Sequence, residues 1–498
     1  MYGCYKRWFV LSLISSVLFL IVIDVTILYT ALPQLTYALK ATPSEKLWIM
    51  NAYPLFVAGL LPLTGALSDK VGHKKMFLLG LPLFGIASLC AAFSPTAMSL
   101  TFSRAFLAIG AAMSMPATLA IVRQLFLSPK ERALAIGIWS AVASSGAAIG
   151  PLIGGFILKY YWWGFIFLIN VPIILLIIPL AYIMLPQSTG QKLKKITLWD
   201  PIFVLVGLIG ILYGLKELSK PQTSGIIVLI SGIIGVCFVL IFKHRQMRTT
   251  SPLIDFTLFH QAKFSSGIAI AMLSVMVVVG IQLLLSQWLQ LVMGKTPFQA
   301  ALYLLPISIA SISSAPITGA FLNRLSEDKF TILGLSCMFV GIAGLASIYQ
   351  ISTGILLWLF LWSIGFGFGM LLTVASSTVM LNAPDEKAGM AASIEEITYE
   401  MGSILGVTLM GGLINLMYTL TLILPDYLKT HSQVYNSIDD ALFISEQLSP
   451  EHAITLINQT ALAFNEAFLI VMMTILVILA ISLFILPCYL REKPTHKE

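Results

Sequence analysis

Apolar runs about as long as a bilayer is thick recur almost from end to end of this chain, parted by short polar breaks. About twenty residues at ~1.5 Å each carry a helix across a hydrocarbon core of ~30 Å. Fourteen such runs fall at about 8–32, 47–67, 76–95, 98–122, 134–158, 165–185, 198–216, 225–242, 264–290, 299–322, 330–350, 354–381, 390–423 and 463–488. Lys6 and Arg7 precede the first run as they would precede a signal sequence. Asp24 interrupts that run and thirteen more follow, so it reads as a retained first helix. The pattern predicts an all-α membrane protein.

Charge then orients the helices. With the polar breaks assigned alternately to two sides, 21 of the 29 Lys and Arg fall on the side that holds both termini and seven on the other. Arg104 lies inside the fourth run. Basic residues are retained on the cytoplasmic side, so both termini are expected in the cytoplasm. The formal charge of +7 is thereby spread over many short breaks and forms no basic patch on one soluble segment, which argues against nucleic acid as a partner.

The order of the runs suggests six plus two plus six. Residues 1–190 would form an N-terminal six-helix bundle, 191–250 an inserted two-helix hairpin, and 251–498 a C-terminal six-helix bundle with an outer loop at about 424–462. Lys192, Lys194 and Lys195 precede the hairpin, and Lys243, Arg245 and Arg248 follow it.

Composition agrees and removes other classes. Hydrophobic residues make up 58% of the chain and charged ones 10%, far from the ~25% charged of soluble domains, so lipid must be the solvent. Five scattered cysteines form no CxxC, and the six histidines fall in polar breaks without HExxH spacing, so no metal site is expected. Gly294-Lys295-Thr296 resembles the end of a phosphate loop, but Leu289 stands where that loop needs glycine.

Three groups of residues carry more specific chemistry. Between spans two and three stands Gly65-Ala-Leu-Ser-Asp69-Lys70-Val-Gly72-His-Lys74-Lys75, a tight elbow in which glycines permit close approach and turning. In span five, Gly146, Gly150 and Gly154 are spaced one turn apart, with Pro151 and Gly155 beside them. That spacing makes a small-residue groove for another helix, while proline weakens the local ladder and permits a bend. In span thirteen comes Glu395-Glu396-Ile-Thr-Tyr399-Glu400-Met-Gly402.

The elbow resembles the signature loop of the major facilitator superfamily, and the span-five glycines resemble the motif of its drug:proton antiporter branch. Asp24-Val-Thr26 through Pro33, Asn170-Val-Pro172 after Trp162-Trp163-Gly164, and Ala383-Pro384-Asp385 through Ala391 are similar to stretches of the fourteen-span members. The acids of span thirteen narrow the likeness to exporters of quaternary ammonium compounds and methyl viologen. Asn51, in Trp48-Ile-Met-Asn51-Ala-Tyr53, stands where some of those relatives carry an acid. The resemblance implies the major facilitator fold and a bacterial cytoplasmic (inner) membrane. It further implies alternating-access efflux of lipophilic cations in exchange for protons, driven by the proton gradient without a cofactor. Lipid, the cationic substrate and protons are the expected partners, with a monomer as the unit.

Cost explains why the acids matter. An ionised side chain at mid-membrane costs about 2.5–3.5 kcal/mol on insertion scales, so it faces a cavity, pairs, or holds a proton. Glu396 and Glu400 lie about 14 and 20 Å along span thirteen and share one helical face, with Glu395 about 100° round from Glu396. A carboxyl that holds either a proton or a cation is the simplest exchange site. Glu396 and Glu400, with Asp24, are the expected exchangers, and Tyr399 adds a cation–π face. Trp48, Tyr53, Trp139, Trp288 and Tyr303 are weaker aromatic candidates. Glu395 is equally readable as a structural partner, and the other reading of Asp24 is a cap near the outer rim. Arg104 resembles the family's buried arginine, which implies a part in proton coupling, its other reading being a clamp between spans. A metabolite, nutrient or siderophore transporter on the same fold remains an alternative function. A membrane-embedded transferase would need paired acid motifs on polar loops, and Asp439-Asp440 has no companion.

Overall fold

A computed structural model describes residues 4–490 apart from 127, 188–198, 219–224, 250–251, 323–324, 349–353, 385–387, 426–427 and 429–431. Among the described residues, thirteen helices are long and apolar enough to cross a membrane. The remaining expected run, 134–158, falls in α5 (Pro129–Tyr160), which runs unbroken through Pro151 and holds a shorter apolar stretch, Ile149–Tyr160.

Contacts divide the chain into two compact units. The first comprises Met1–Gly214, Gly225–Leu253 and Lys295–Ala301; the second comprises Leu215–Ser224, Ile254–Gly294 and Leu302–Glu498.

The first unit contains α1 (Cys4–Leu39), α2 (Pro43–Val71), α3 (His73–Ala92), α4 (Ala97–Leu125), α5, the short α6 (Phe165–Leu168) and α7 (Asn170–Met184). Local chemistry starts these helices where they start. Thr42 accepts from the Glu45 backbone while the Glu45 carboxylate accepts from the Thr42 backbone, and Pro43 occupies the first turn. Thr96 and Ser99 make the same reciprocal cap on α4. Helix α3 packs on α4, α1 on α5 and α2 on α4. Arg7 pairs with Glu131 at 3.0 Å and ties the start of α1 to the first turn of α5.

The hairpin consists of α8 (Trp199–Leu218) and α9 (Gly225–Arg248). Gly207 and Gly210 of α8 meet Gly235 of α9 so closely that a Cβ on either would lie about 3 Å from backbone. Asp200, buried, accepts from Arg245 Nε at 2.8 Å and from Gln246 Nε2 at 2.9 Å, which clasps the two ends together. Leu205 of α8 fills the space beside Gly59 of α2. Helix α9 leaves Ile226, Leu229, Ile230, Ile233 and Leu240 exposed, a surface suited to lipid.

The second unit holds α10 (Ala262–Gln287), most of α11 (Pro297–Phe321), α12 (Glu327–Ile348), α13 (Ile355–Leu381), α14 (Ala388–Leu405), α15 (Gly411–Thr421), α16 (Ile438–Ser445) and α17 (Pro450–Leu490). A π-helical turn at Gly406–Met410 joins α14 to α15. The segment expected to be a polar loop as far as 462 is largely structured. Helix α17 begins at Pro450, and Leu428, Val434, Ile438, Ala441 and Ile444 are buried. Tyr418 donates to the Val434 carbonyl at 3.1 Å, and Thr419 donates to that of Tyr435 at 2.7 Å. Apolar residues at helical spacing within a polar stretch are the sequence signal for this burial.

Candidate transport site

In the first unit Asp24 and Arg104, charged residues inside two spans, meet at one buried point. Asp24 lies 20 residues along α1, about 30 Å from its start. Its Oδ2 accepts from Arg104 Nη1 of α4 at 2.7 Å, with side-chain exposures of 0% and 1%. Its Oδ1 accepts from Asn170 Nδ2 of α7 at 2.9 Å, and the same amide nitrogen donates to Ser88 Oγ of α3 at 3.2 Å. Arg104 lies over the Tyr53 ring of α2, 4.9 Å from its centre, so a cation–π contact adds to the ion pair. Four helices therefore surround one carboxylate. For Arg104 the structure supplies the interhelical pair that was one of its two readings. Asn51 is buried in α2, two residues before Tyr53.

Sequence reasoning missed Asn170 and Ser88 as members of this cluster. Asn170 is fully buried as the first residue of α7. A polar amide at the edge of an apolar run was the available signal.

The glycines of α5 make the expected seam, and its partner is α1. A Cβ at Gly146 would lie 3.2 Å from the Phe19 carbonyl and Val22, one at Gly150 would collide with Thr26 Oγ1, and one at Gly154 would reach Ile27 at 3.0 Å. Gly155 turns to another neighbour, the backbone of Pro297 and Phe298. The seam brings Thr26, half a turn beyond Asp24, against α5. Trp139 of α5 donates to Thr118 of α4 at 3.1 Å.

The elbow behaves in two ways. Gly72 closes α2 at φ +103°, a conformation that favours glycine, and its N–H donates to the Ser68 carbonyl. Gly65, expected to allow close approach, has nothing within 4 Å of an added Cβ among the described residues. That half of the expectation fails because its side of α2 is open there. Asp69 lies on α2, but its side chain is outside the described residues. Lys74 donates to the Leu185 carbonyl at 2.9 Å, placing a cation at the C-terminus of α7.

In the second unit, α14 packs its Ala391–Ile394 face against Phe264 of α10 and Val379 of α13. Glu395 follows Ile394 onto that buried side, accepts a short hydrogen bond from the Tyr399 hydroxyl one turn on, and another from Ser376 of α13. Glu396, Tyr399 and Glu400 are half-buried. Glu395 thus has structural partners, while Glu396 and Glu400 project from a different face of the same helix. A Cβ at Gly402 would come within 2.7 Å of the Met272 carbonyl, and one at Gly406 within 2.5 Å of that of Met276, so α10 lies directly against α14. Trp288 opens a π-helical turn after α10, donates to Asn465 at 2.9 Å and stacks on Phe468, so it packs within the bundle.

The sequence matches the Major Facilitator Superfamily over residues 14–407. This chain belongs to that superfamily of multi-pass membrane transporters. It is similar to the methyl viologen resistance protein SmvA of Salmonella typhimurium strain LT2, 35% identical over 92% of this chain and 93% of the relative. It is also similar to the multidrug efflux pump LfrA of Mycolicibacterium smegmatis, 29% identical over 93% and 92% of the two chains. In fold it is similar to a bacterial homologue of the human lysosomal transporter Spinster, with a TM-score of 0.69 at 14% identity over 99% of this chain and all of that one. The homologues are drug-efflux transporters, and the chain is a transporter of that family rather than an enzyme.

Proposed function

We propose that this protein is a fourteen-span drug:proton antiporter that exports lipophilic cations such as quaternary ammonium compounds, dyes and viologens. In this reading both termini are cytoplasmic, the membrane is the bacterial inner membrane, and a monomer works by alternating access without a cofactor. One observation carries it: acids stand inside spans where a charge is costly, Asp24 in α1 and Glu395, Glu396 and Glu400 in α14. The similarity to methyl viologen and multidrug exporters supports the choice of cargo. Exchange follows from competition. A carboxyl holding a proton is neutral and has no attraction for a cation; when the cation arrives, the carboxyl gives up its proton and the pair is neutral again. Reprotonation releases the cargo on the far side. Glu396 and Glu400 are the exchanging groups, with Asp24 the second protonatable point.

The test is purified protein in liposomes with an imposed pH gradient, given ethidium, methyl viologen and a quaternary ammonium in turn. Cation movement against proton flow, collapsed by a protonophore, is the expected result. A gradient that drives none of the three cations but does drive an anionic or neutral metabolite would replace drug efflux with metabolite transport.

A further inference from the structure

The buried carboxylate of α1 is held by a residue that neither charge pattern nor motif reading brought to it. We propose that Asn170 is a positioning residue that sets the pH at which Asp24 takes up its proton, with Ser88 fixing the orientation of the Asn170 amide. This rests on the reading of Asp24 as a protonatable group of the transport cycle.

The geometry is one-sided. Asn170 points its nitrogen, a donor only, at Asp24 Oδ1 (2.9 Å) and at Ser88 Oγ (3.2 Å). Arg104 supplies a further donor to Oδ2. Asp24 therefore meets donors on both oxygens, an arrangement that stabilises a carboxylate and offers a carboxylic O–H nothing to bind. The Asn170 carbonyl oxygen is buried and has no partner among the described residues. Leaving an acceptor unpaired in an apolar place is costly, so this amide orientation needs the two bonds its nitrogen makes. Rotating the amide by half a turn would put that oxygen towards Asp24 and Ser88, where it suits only a protonated Asp24. Asn170 thus has one orientation for each protonation state, and Ser88, able to donate or accept, follows either.

Among the described residues, the groups that face Asp24 come from four helices. From α4 comes Arg104, with Tyr53 of α2 on its far side. From α3 and α7 come the neutral Ser88 and Asn170. Helix α5 meets α1 near this level through Gly146 and Gly150, and its charged residues, Lys130, Glu131, Arg132 and Lys159, lie in its first and last turns. Asn170 is therefore the neutral group in direct contact whose loss changes the balance most.

The test reads Asp24 directly. The infrared carboxylic C=O band that disappears in Asp24→Asn is titrated against pH in the wild type, in Asn170→Leu and in Ser88→Ala. Loss of the donor in Asn170→Leu should move the titration to higher pH by about one unit, a tenfold change in proton affinity. Ser88→Ala should move it the same way by less, and it decides the question if Asn170→Leu does not fold. An unshifted band in folded variants, or no Asp24 band at any pH, overturns the proposal. A shifted band in protein that exchanges no cation for protons would leave the role of Asn170 standing and remove the antiport reading.

Discussion

Arg104 Nη1 and Asp24 Oδ2 stand 2.7 Å apart with both side chains withdrawn from solvent, so neither charge can be removed without stranding the other. Breaking such a pair from one side costs about 3–5 kcal/mol, while removing both partners costs little. Arg104→Gln and Asp24→Asn singly should lower the unfolding temperature of detergent-purified protein markedly. The double variant should recover much of that loss yet remain inactive in ethidium efflux. A double variant as unstable as the worse single one would mean that the pair does not act as a unit.

The α1–α5 seam gives a steric prediction. A side chain at Gly150 meets Thr26 Oγ1, and one at Gly146 meets the Phe19 carbonyl, which is backbone and cannot swing aside. Overpacking of this kind costs about 1–3 kcal/mol. Gly146→Val should destabilise the protein by that order, whereas Gly65→Ala, with open space around it, should be close to neutral. Thermal unfolding of the two variants side by side checks the contrast.

Gly72 and Asp69 should separate stability from function within one motif. At φ +103° a β-branched residue is strained by about 1–3 kcal/mol, so Gly72→Val should lower stability. Asp69→Asn should leave expression and unfolding temperature near wild type but slow transport, since we propose that Asp69 works as a latch, a breakable contact at the elbow between α2 and α3. Normal efflux rates in Asp69→Asn would remove the latch.

Much of this was legible because bilayer physics writes itself into sequence. Run length gives the apolar helices, and one-turn glycine spacing gives the α5 seam. Burial of acids was legible in kind, because an acid inside an apolar run must be compensated. Partners were not. Nothing in the spacing of Asp24, Ser88, Arg104 and Asn170 says that α1, α3, α4 and α7 bring them to one point, because that depends on how the helices pack. Burial after residue 424 is hidden for a related reason: the acids there suggest solvent, while Val434, Ile438 and Ile444 are spaced to cover a neighbouring helix.

Span thirteen separates its acids by face, and this yields the most discriminating experiment. Glu395 sits on the packed side with Tyr399 and Ser376 as partners, so Glu395→Gln should mainly loosen α14 against α13. Glu396 and Glu400 lie half-buried on another face, i,i+4 apart, the spacing at which two side chains of a helix are neighbours. Adding ethidium to weakly buffered detergent-purified protein should release protons. Glu396→Gln combined with Glu400→Gln should abolish that release and weaken cation binding together, because one group serves both. Lys in place of either acid should be worse than Gln, since it adds repulsion to the lost attraction. Full drug-induced proton release from the Gln double variant would move the exchange site away from span thirteen, and Asp24 would become its principal candidate.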